Sequence, residues 1–347
     1  MKRYKKIVLE AEKGITFEVL EEASGELIIK ALHVASNNVI FEKLPSVSAG
    51  EYAKVLSVYT DKDGNKAVVP PGWTVSGVPK ENIIWGKDNG LVIYHIPKEI
   101  VSSIIWQYRD EVETLMQTYD QFVWTPVGLL TANATLDGIR YNEKFGRMNY
   151  LNNEFSKSEY HEPLVDELFL QKESIDKYDG YYSSRYDISK DENTGKPRSV
   201  KGAYPWVDID FPTAKKVANI MVEGKRVTTH LMYGSEYDTR EKWVIESGTV
   251  TIDEIAKDST NLGNHNNNNN FPNRLVRTGE DGCINNIYGF AGNVNEWTQE
   301  QNDSSYRLIR GGDCDHSGYT YPIAHRHSIG LSYKHSLIGF RVTLYIE

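Results

Sequence analysis

Three short blocks near the end of the chain decide how it is read: Tyr288-Gly-Phe-Ala-Gly-Asn-Val-Asn-Glu-Trp297, Arg307-Leu-Ile-Arg-Gly-Gly312 and Ile338-Gly-Phe-Arg341. Gly292, Gly311, Gly312 and Gly339 read as positions of positive φ or close backbone approach, which a residue without Cβ takes at little cost. Trp297 and Phe340 read as core aromatics. Asn293, Glu296, Arg310 and Arg341 read as polar side chains that pin loops. A fold poor in regular structure must satisfy its loop backbone groups from side chains.

Working outward, the whole chain has 347 residues, enough for one large domain with a smaller one beside it. It is 39% apolar and 25% charged, an ordinary globular composition. The net charge of −9 argues against a nucleic-acid partner, whose phosphates call for a surplus of Lys and Arg. Tyr is abundant, at 22 residues. Tyr gives large amphipathic contact area with few torsions to freeze, and it also fills half-buried β-structure. The two cysteines, Cys283 and Cys314, cannot build a disulfide framework or a four-cysteine zinc site, and both are expected to be free. The N-terminus is basic, but no apolar run of signal-peptide length follows it. No run reaches the 18 or so apolar residues of a membrane span. The expectation is cytoplasmic expression or display on a phage virion.

Residues 1–50 alternate apolar and polar side chains (Ile7, Leu9; Ile15, Phe17, Val19; Leu27, Ile29, Ala31), which predicts short half-buried strands. This small β-module is expected to pack on a neighbour or to support a homo-oligomer. Residues 51–118 form a β-rich lead-in. Asp61-Lys-Asp-Gly-Asn65 is a turn signal between two strands, Leu91–Tyr94 is a further strand, and an amphipathic stripe runs from Val101 to Met116. That stripe suits either a connector helix or an oligomerisation helix. Residues 119–347 form the main domain. Gln121–Val127 reads as its opening strand, and 206–221 as a helix with Pro212 in its first turn and Ala214, Val217, Ile220 and Met221 buried. Leu231–Asp238 reads as the start of a second helix, with Ser235 and Asp238 as a capping pair. The Asn run in 264–273 reads as a mobile surface loop.

The ordered blocks resemble the C-terminal half of the formylglycine-generating enzyme (sulfatase-modifying factor) family, a branch of the C-type lectin fold. The resemblance covers roughly two-thirds of the chain and implies an α+β, loop-rich domain. The enzymes of that family hold copper through a cysteine pair just after Arg-Gly-Gly. Here the corresponding positions are His316 and Tyr321, and Cys314 has no second thiol beside it. Soft Cu(I) needs paired thiolates, so the expectation is no enzyme and no cofactor. The His-x3-His-x-Glu motif of the iron-dependent branch is absent. Family calcium sites imply Gly292, Val294 and Glu296 as ligands, but Gly289 stands where an Asn or Asp is required. Calcium stays open, one ligand short.

Between the second and third blocks, residues 313–338 carry four of the nine His and three of the Tyr. Of Glu, Gln, Lys, Met and Trp, only Lys334 occurs there. Those five types are the ones that randomising the adenines of an AAC codon cannot produce. The bias, between constant flanks, resembles the variable region of diversity-generating retroelement proteins. That resemblance implies a phage- or prophage-associated, non-catalytic binding protein for a cell-surface protein or glycan. The candidate contact residues are Asp313, Asp315, His316, Tyr319, Tyr321, His325, His327, Tyr333 and His335. Displayed Tyr, His, Asp and Ser supply aromatic anchors and adaptable hydrogen bonds. His325 and His327 share a strand face and lack an evident third metal ligand. A divergent oxidative metalloenzyme and a structural assembly subunit are the alternatives.

Overall fold

The computed structural model describes residues 5–11, 15–21, 26–33, 47–48, 56–61, 63–75, 85–95, 117–127, 135–136, 139–140, 147–149, 154–155, 160–222 and 226–347. Near the N-terminus β1 (Lys5–Ala11), β2 (Ile15–Glu21), β3 (Glu26–His33) and β4 (Val47–Ser48) pair in that order as an antiparallel sheet. The predicted alternation sets the register, with Ile7 opposite Val19 and Val19 opposite Ile29. Next comes a hairpin of β5 (Ser57–Thr60) and β6 (Lys66–Val69). Its turn is built by Asp61, whose Oδ1 accepts from the backbone N–H of Asp63 at 2.9 Å and of Asn65 at 2.7 Å. The Val101–Met116 stripe lies outside the described residues.

The principal sheet contains β7 (Trp73–Val75), β8 (Val92–His95), β9 (Asp120–Pro126), β10 (Gly180–Ser184), β11 (Val227–Leu231) and, from the end of the chain, Val342–Ile346. Numbering that last strand β16, the order is β11-β16-β10-β9-β8-β7, antiparallel throughout. The sheet therefore draws two strands from before residue 119. Alternation along β9 sorts its side chains. Phe122 and Trp124 join Tyr182, Leu344, Trp297 and Phe340 in one core, while Val123 packs with Tyr94 and Trp243 on the other face.

Four helices are described: α1 (Asp166–Tyr178), α2 (Phe211–Ala218), α3 (Gly234–Glu246) and α4 (Ile252–Ala256). Asp210 caps α2 by accepting from Thr213 N at 3.0 Å, and Pro212 lies in the first turn. The predicted stripe runs too far: α2 stops at Ala218, and Ile220 is 57% exposed beyond it. At α3 the cap lies two residues earlier than Ser235 and Asp238. Tyr233 N donates to Glu236 Oε2 at 2.7 Å. Ser235 N instead donates to Glu162, and Asp238 belongs to a buried ion cluster.

A second sheet holds β12 (Asn295–Asp303), β13 (Tyr306–Arg310), β14 (Arg326–Gly330) and β15 (Ile338–Phe340) in the order β14-β13-β12-β15. β12 and β15 run parallel, with Glu296 beside Gly339. Three sheets of four or more strands and four helices among the described residues make the fold α+β. Residues 313–338 supply the edge strand β14, the loops on either side of it, and the first residue of β15.

Candidate ligand-binding site

The 313–338 segment divides into a side that faces the core and a side that faces out. Asp313, Cys314, Ser317, Ile323, Ala324, Leu337 and Ile338 are buried. Asp315, Tyr319, His327, Tyr333 and His335 are exposed, and His316, Tyr321 and His325 are half-buried. Gly312 opens the segment at φ +76°, and a Cβ there would lie 2.4 Å from the Tyr321 carbonyl oxygen. The loop from 313 to 321 therefore folds back on the glycine, where a side chain would stop it.

Asp313, nominated from sequence as a contact residue, is 3% exposed. Its Oδ1 accepts from Asp315 N at 2.9 Å and His316 N at 3.1 Å, and it bonds His316 Nδ1 at 2.7 Å. Its Oδ2 accepts from Asn295 Nδ2 at 2.5 Å. The side chain orients the loop and is already saturated.

Four other nominated residues meet in one column. His316 lies 4.1 Å from Tyr321, Tyr321 4.2 Å from His325, and His325 6.2 Å from His327, centroid to centroid. Tyr333 and His335 make a second, nearly parallel pair at 6.2 Å. Tyr319 stands outside both groups and is 66% exposed. Burial, with His327, Arg310 and His316 adding to it, pushes the His325 pKa down to about 4. That ring is neutral at neutral pH, so the column is not split by repulsion at its centre. Among the described residues no group of three or more His, Cys, Asp and Glu side chains could hold a metal ion.

The family's metal chemistries were tested on their own residues. Burial, then Asp315 and Asp313, push the Cys314 thiol up to about 12, so it stays protonated. Cys283 and Cys314 are both free thiols. A protonated lone thiol does not fit copper. For calcium, both Glu296 oxygens are taken, by Arg341 Nε at 2.8 Å and Arg240 Nη2 at 3.3 Å. A Cβ on Gly289 would lie 2.5 Å from Asp187 Oδ2 and 2.7 Å from Asp281 Oδ2, so no Asn or Asp fits there. Arg341 also donates to the Ser184, Tyr288 and Gly289 carbonyls and to Asp187. Of the implied calcium ligands, the Glu296 carboxylate is therefore spent on two guanidinium groups.

Of the remaining motif residues, Asn293 sits at φ +63°, and its Oδ1 accepts from Val276 N at 3.0 Å and Asn264 Nδ2 at 3.1 Å. Gly292 and Gly311 have positive φ, while Gly339 lies in a strand with its nearest neighbour in ordinary contact. Trp297 and Phe340 are fully buried.

Beneath the column lies a buried ion cluster, of which Arg310 is the one member in the three sequence blocks. Arg310 pairs with Asp238 at 3.1 Å, Glu300 at 3.1 Å and Glu241 at 3.0 Å. Arg326, on β14, reaches Asp238 at 2.6 Å and Glu300 at 3.1 Å. Arg147 joins from outside both sheets, bonding Asp238 at 2.9 Å and also Glu300. Burial acts to raise the Glu300 pKa, but Arg147, Arg326 and Arg310 outweigh it and hold it at about 2. The signal in the sequence is only the charge of α3, which carries Asp238, Arg240 and Glu241 in place of an apolar stripe; the fold then buries it almost wholly. Such a helix can be buried only if its charges find partners.

The Asn run is a surface loop, with Asn266, Asn267, Asn269 and Asn270 exposed, but it is pinned from inside. Asn264 and Asn268 are buried, and Asn268 Nδ2 donates to Thr260 O at 2.7 Å and Gly263 O at 3.0 Å. Asparagine amides replace the missing secondary-structure partners, which the compositional reading overlooked.

A domain model described as sulfatase-modifying factor enzyme 1-like matches residues 111–346. No curated protein matches the sequence. Among solved structures, Treponema denticola variable protein 1 is 12% identical, at a TM-score of 0.38, over 66% of this chain and 96% of that one. PvdO from Pseudomonas aeruginosa is 13% identical, at a TM-score of 0.36, over 66% and 95%. CarF is 14% identical, at a TM-score of 0.33, over 48% and 87%.

Proposed function

This chain belongs to the sulfatase-modifying factor enzyme 1-like family, and we propose that it is a non-catalytic member that binds a ligand through residues 313–338. The segment is diversified by a retroelement in a phage or prophage setting, and its ligand is a cell-surface protein or glycan. One observation carries the reading. The compositionally biased residues of the segment form the half-buried His316–Tyr321–His325 stack, which ends at the exposed His327, and the exposed Tyr333–His335 pair. Its inward residues are the ones bound to the scaffold, as Asp313 is to Asn295 and Arg326 to Asp238. Side chains that hold nothing else up can change without cost to the fold.

The first test is the DNA of the locus and of sibling isolates. A near-copy of the segment beside a reverse-transcriptase gene, differing only at template adenines, is expected, with changes at 315, 316, 319, 321, 325, 327, 333 and 335. A segment as constant as its flanks would sink the proposal. Replacing Tyr319, Tyr321 and Tyr333 together by Ala should abolish ligand binding while leaving the protein folded. Copper or iron co-purifying at one equivalent would turn the reading toward an oxidative enzyme.

A further inference from the structure

We propose that the Asn-rich loop is the second, unvarying half of the ligand surface, and that the composite surface takes an uncharged glycan. The inference rests on the ligand-binding reading of residues 313–338. Loop and segment are joined through their backbones. Asn266 N donates to His316 O at 3.1 Å, and Asn266 Nδ2 donates to Asp315 O at 2.6 Å. Asn267 Oδ1 accepts from Gly318 N at 3.3 Å, next to the exposed Tyr319. Asn268 anchors the loop from inside, which leaves Asn266, Asn267, Asn269 and Asn270 exposed.

The chemistry of this face selects its ligand. A primary amide offers two N–H donors and a carbonyl acceptor in one plane. Adjacent sugar hydroxyls, each both donor and acceptor, are its complement. Tyr319 offers an open aromatic face for the C–H side of a pyranose. Charge argues against an anionic ligand. The segment's two cations are committed, Lys334 to Asp210 at 3.2 Å and Arg326 to Asp238 and Glu300. Two exposed carboxylates, Asp258 and Asp315, flank the loop, so an acidic sugar would meet like charge there. A protein partner would want an apolar centre within about 800 Å² per side. Within residues 313–338 the large exposed apolar side chains are Tyr319 and Tyr333 alone.

The test is an array of neutral, sialylated and sulfated glycans probed with the intact protein, N269A/N270A, N269D/N270D and Y319A. Neutral glycans are expected to bind. N269A/N270A and Y319A should each bind about 10-fold more weakly, as losing roughly 1.4 kcal/mol requires, at an unchanged melting temperature. N269D/N270D, which keeps acceptors and loses donors, should fall between. Residues 266–270 should stay constant among sibling isolates whose outward segment positions vary. Binding confined to acidic glycans, or neutral binding indifferent to N269A/N270A, would overturn the inference. A blank array with a varying segment would overturn it in favour of a protein ligand and leave the ligand-binding reading standing. A segment that does not vary would remove the reading and the inference together.

Discussion

Arg326 and His327 are neighbours on one edge strand and live in different media. The first is nearly buried and paired with two carboxylates, while the second is exposed and lies beside the His325 and Tyr321 rings. The contrast extends to the two regions they belong to. The buried cluster is held by charges whose removal leaves partners stranded in a medium that cannot solvate them. The outer column is held by stacking between rings that water can also reach. A scaffold built in this way lets one face of β14 change while the other is fixed.

Breaking the cluster should have the largest effect. Glu300→Ala takes one carboxylate from each of Arg147, Arg310 and Arg326, leaves the buried cluster short of negative charge, and should cost about 3–5 kcal/mol. A denaturant titration reads this directly, and a loss below about 1 kcal/mol would mean the cluster does not hold the second sheet to α3. Asp313→Ala should follow at about 1–3 kcal/mol, because Asn295 and two backbone N–H groups lose their acceptor. Its His316 ring signals should broaden in NMR while the rest of the spectrum persists.

The cluster should also show in the pH dependence. Burial, opposed by Arg147, raises Glu162 from 4.5 to about 8. A raised folded pKa means that its contribution is complete below about 4.5 and is lost as pH rises through about 8. Glu162→Gln removes that titration. The stability of the native chain relative to Glu162→Gln should therefore fall across this window, as followed by unfolding midpoints. A constant difference would show that Glu162 does not titrate there.

On the outer side the effects should be smallest. His327→Ala and Tyr333→Ala should each change stability by less than about 0.5 kcal/mol, within the range of ordinary surface substitutions. Losses above about 2 kcal/mol would erase the contrast between the two faces, because the displayed residues would then be structural.

Much of the local structure could be read from the chain. The alternation of Ile7, Val19 and Ile29 appears in the paired register, the Asp61–Asn65 turn closes its hairpin, and Trp297 and Phe340 are core. These signals are local, since a strand's faces repeat every two residues and a turn is set within five. Partners far apart in sequence could not be read in that way. Arg147 meets Asp238 across 91 residues and Glu300 across 153, and no periodicity marks such pairs. The Asn run misled for a related reason. Composition shows that asparagine builds no apolar core, but it does not show which carbonyls will meet the amides.

By itself the sequence determined the family blocks, many of the strands and turns, and the stretch whose composition sets it apart as the proposed ligand-binding segment. Only the tertiary structure decided which residues in that stretch face inward. Asp313 was drawn into the scaffold by Asn295 and two backbone N–H groups, and Arg326 by Asp238 and Glu300. The physical reason is that a polar side chain has no intrinsic face. It is buried where the fold brings enough partners to replace its water, and otherwise it stays at the surface.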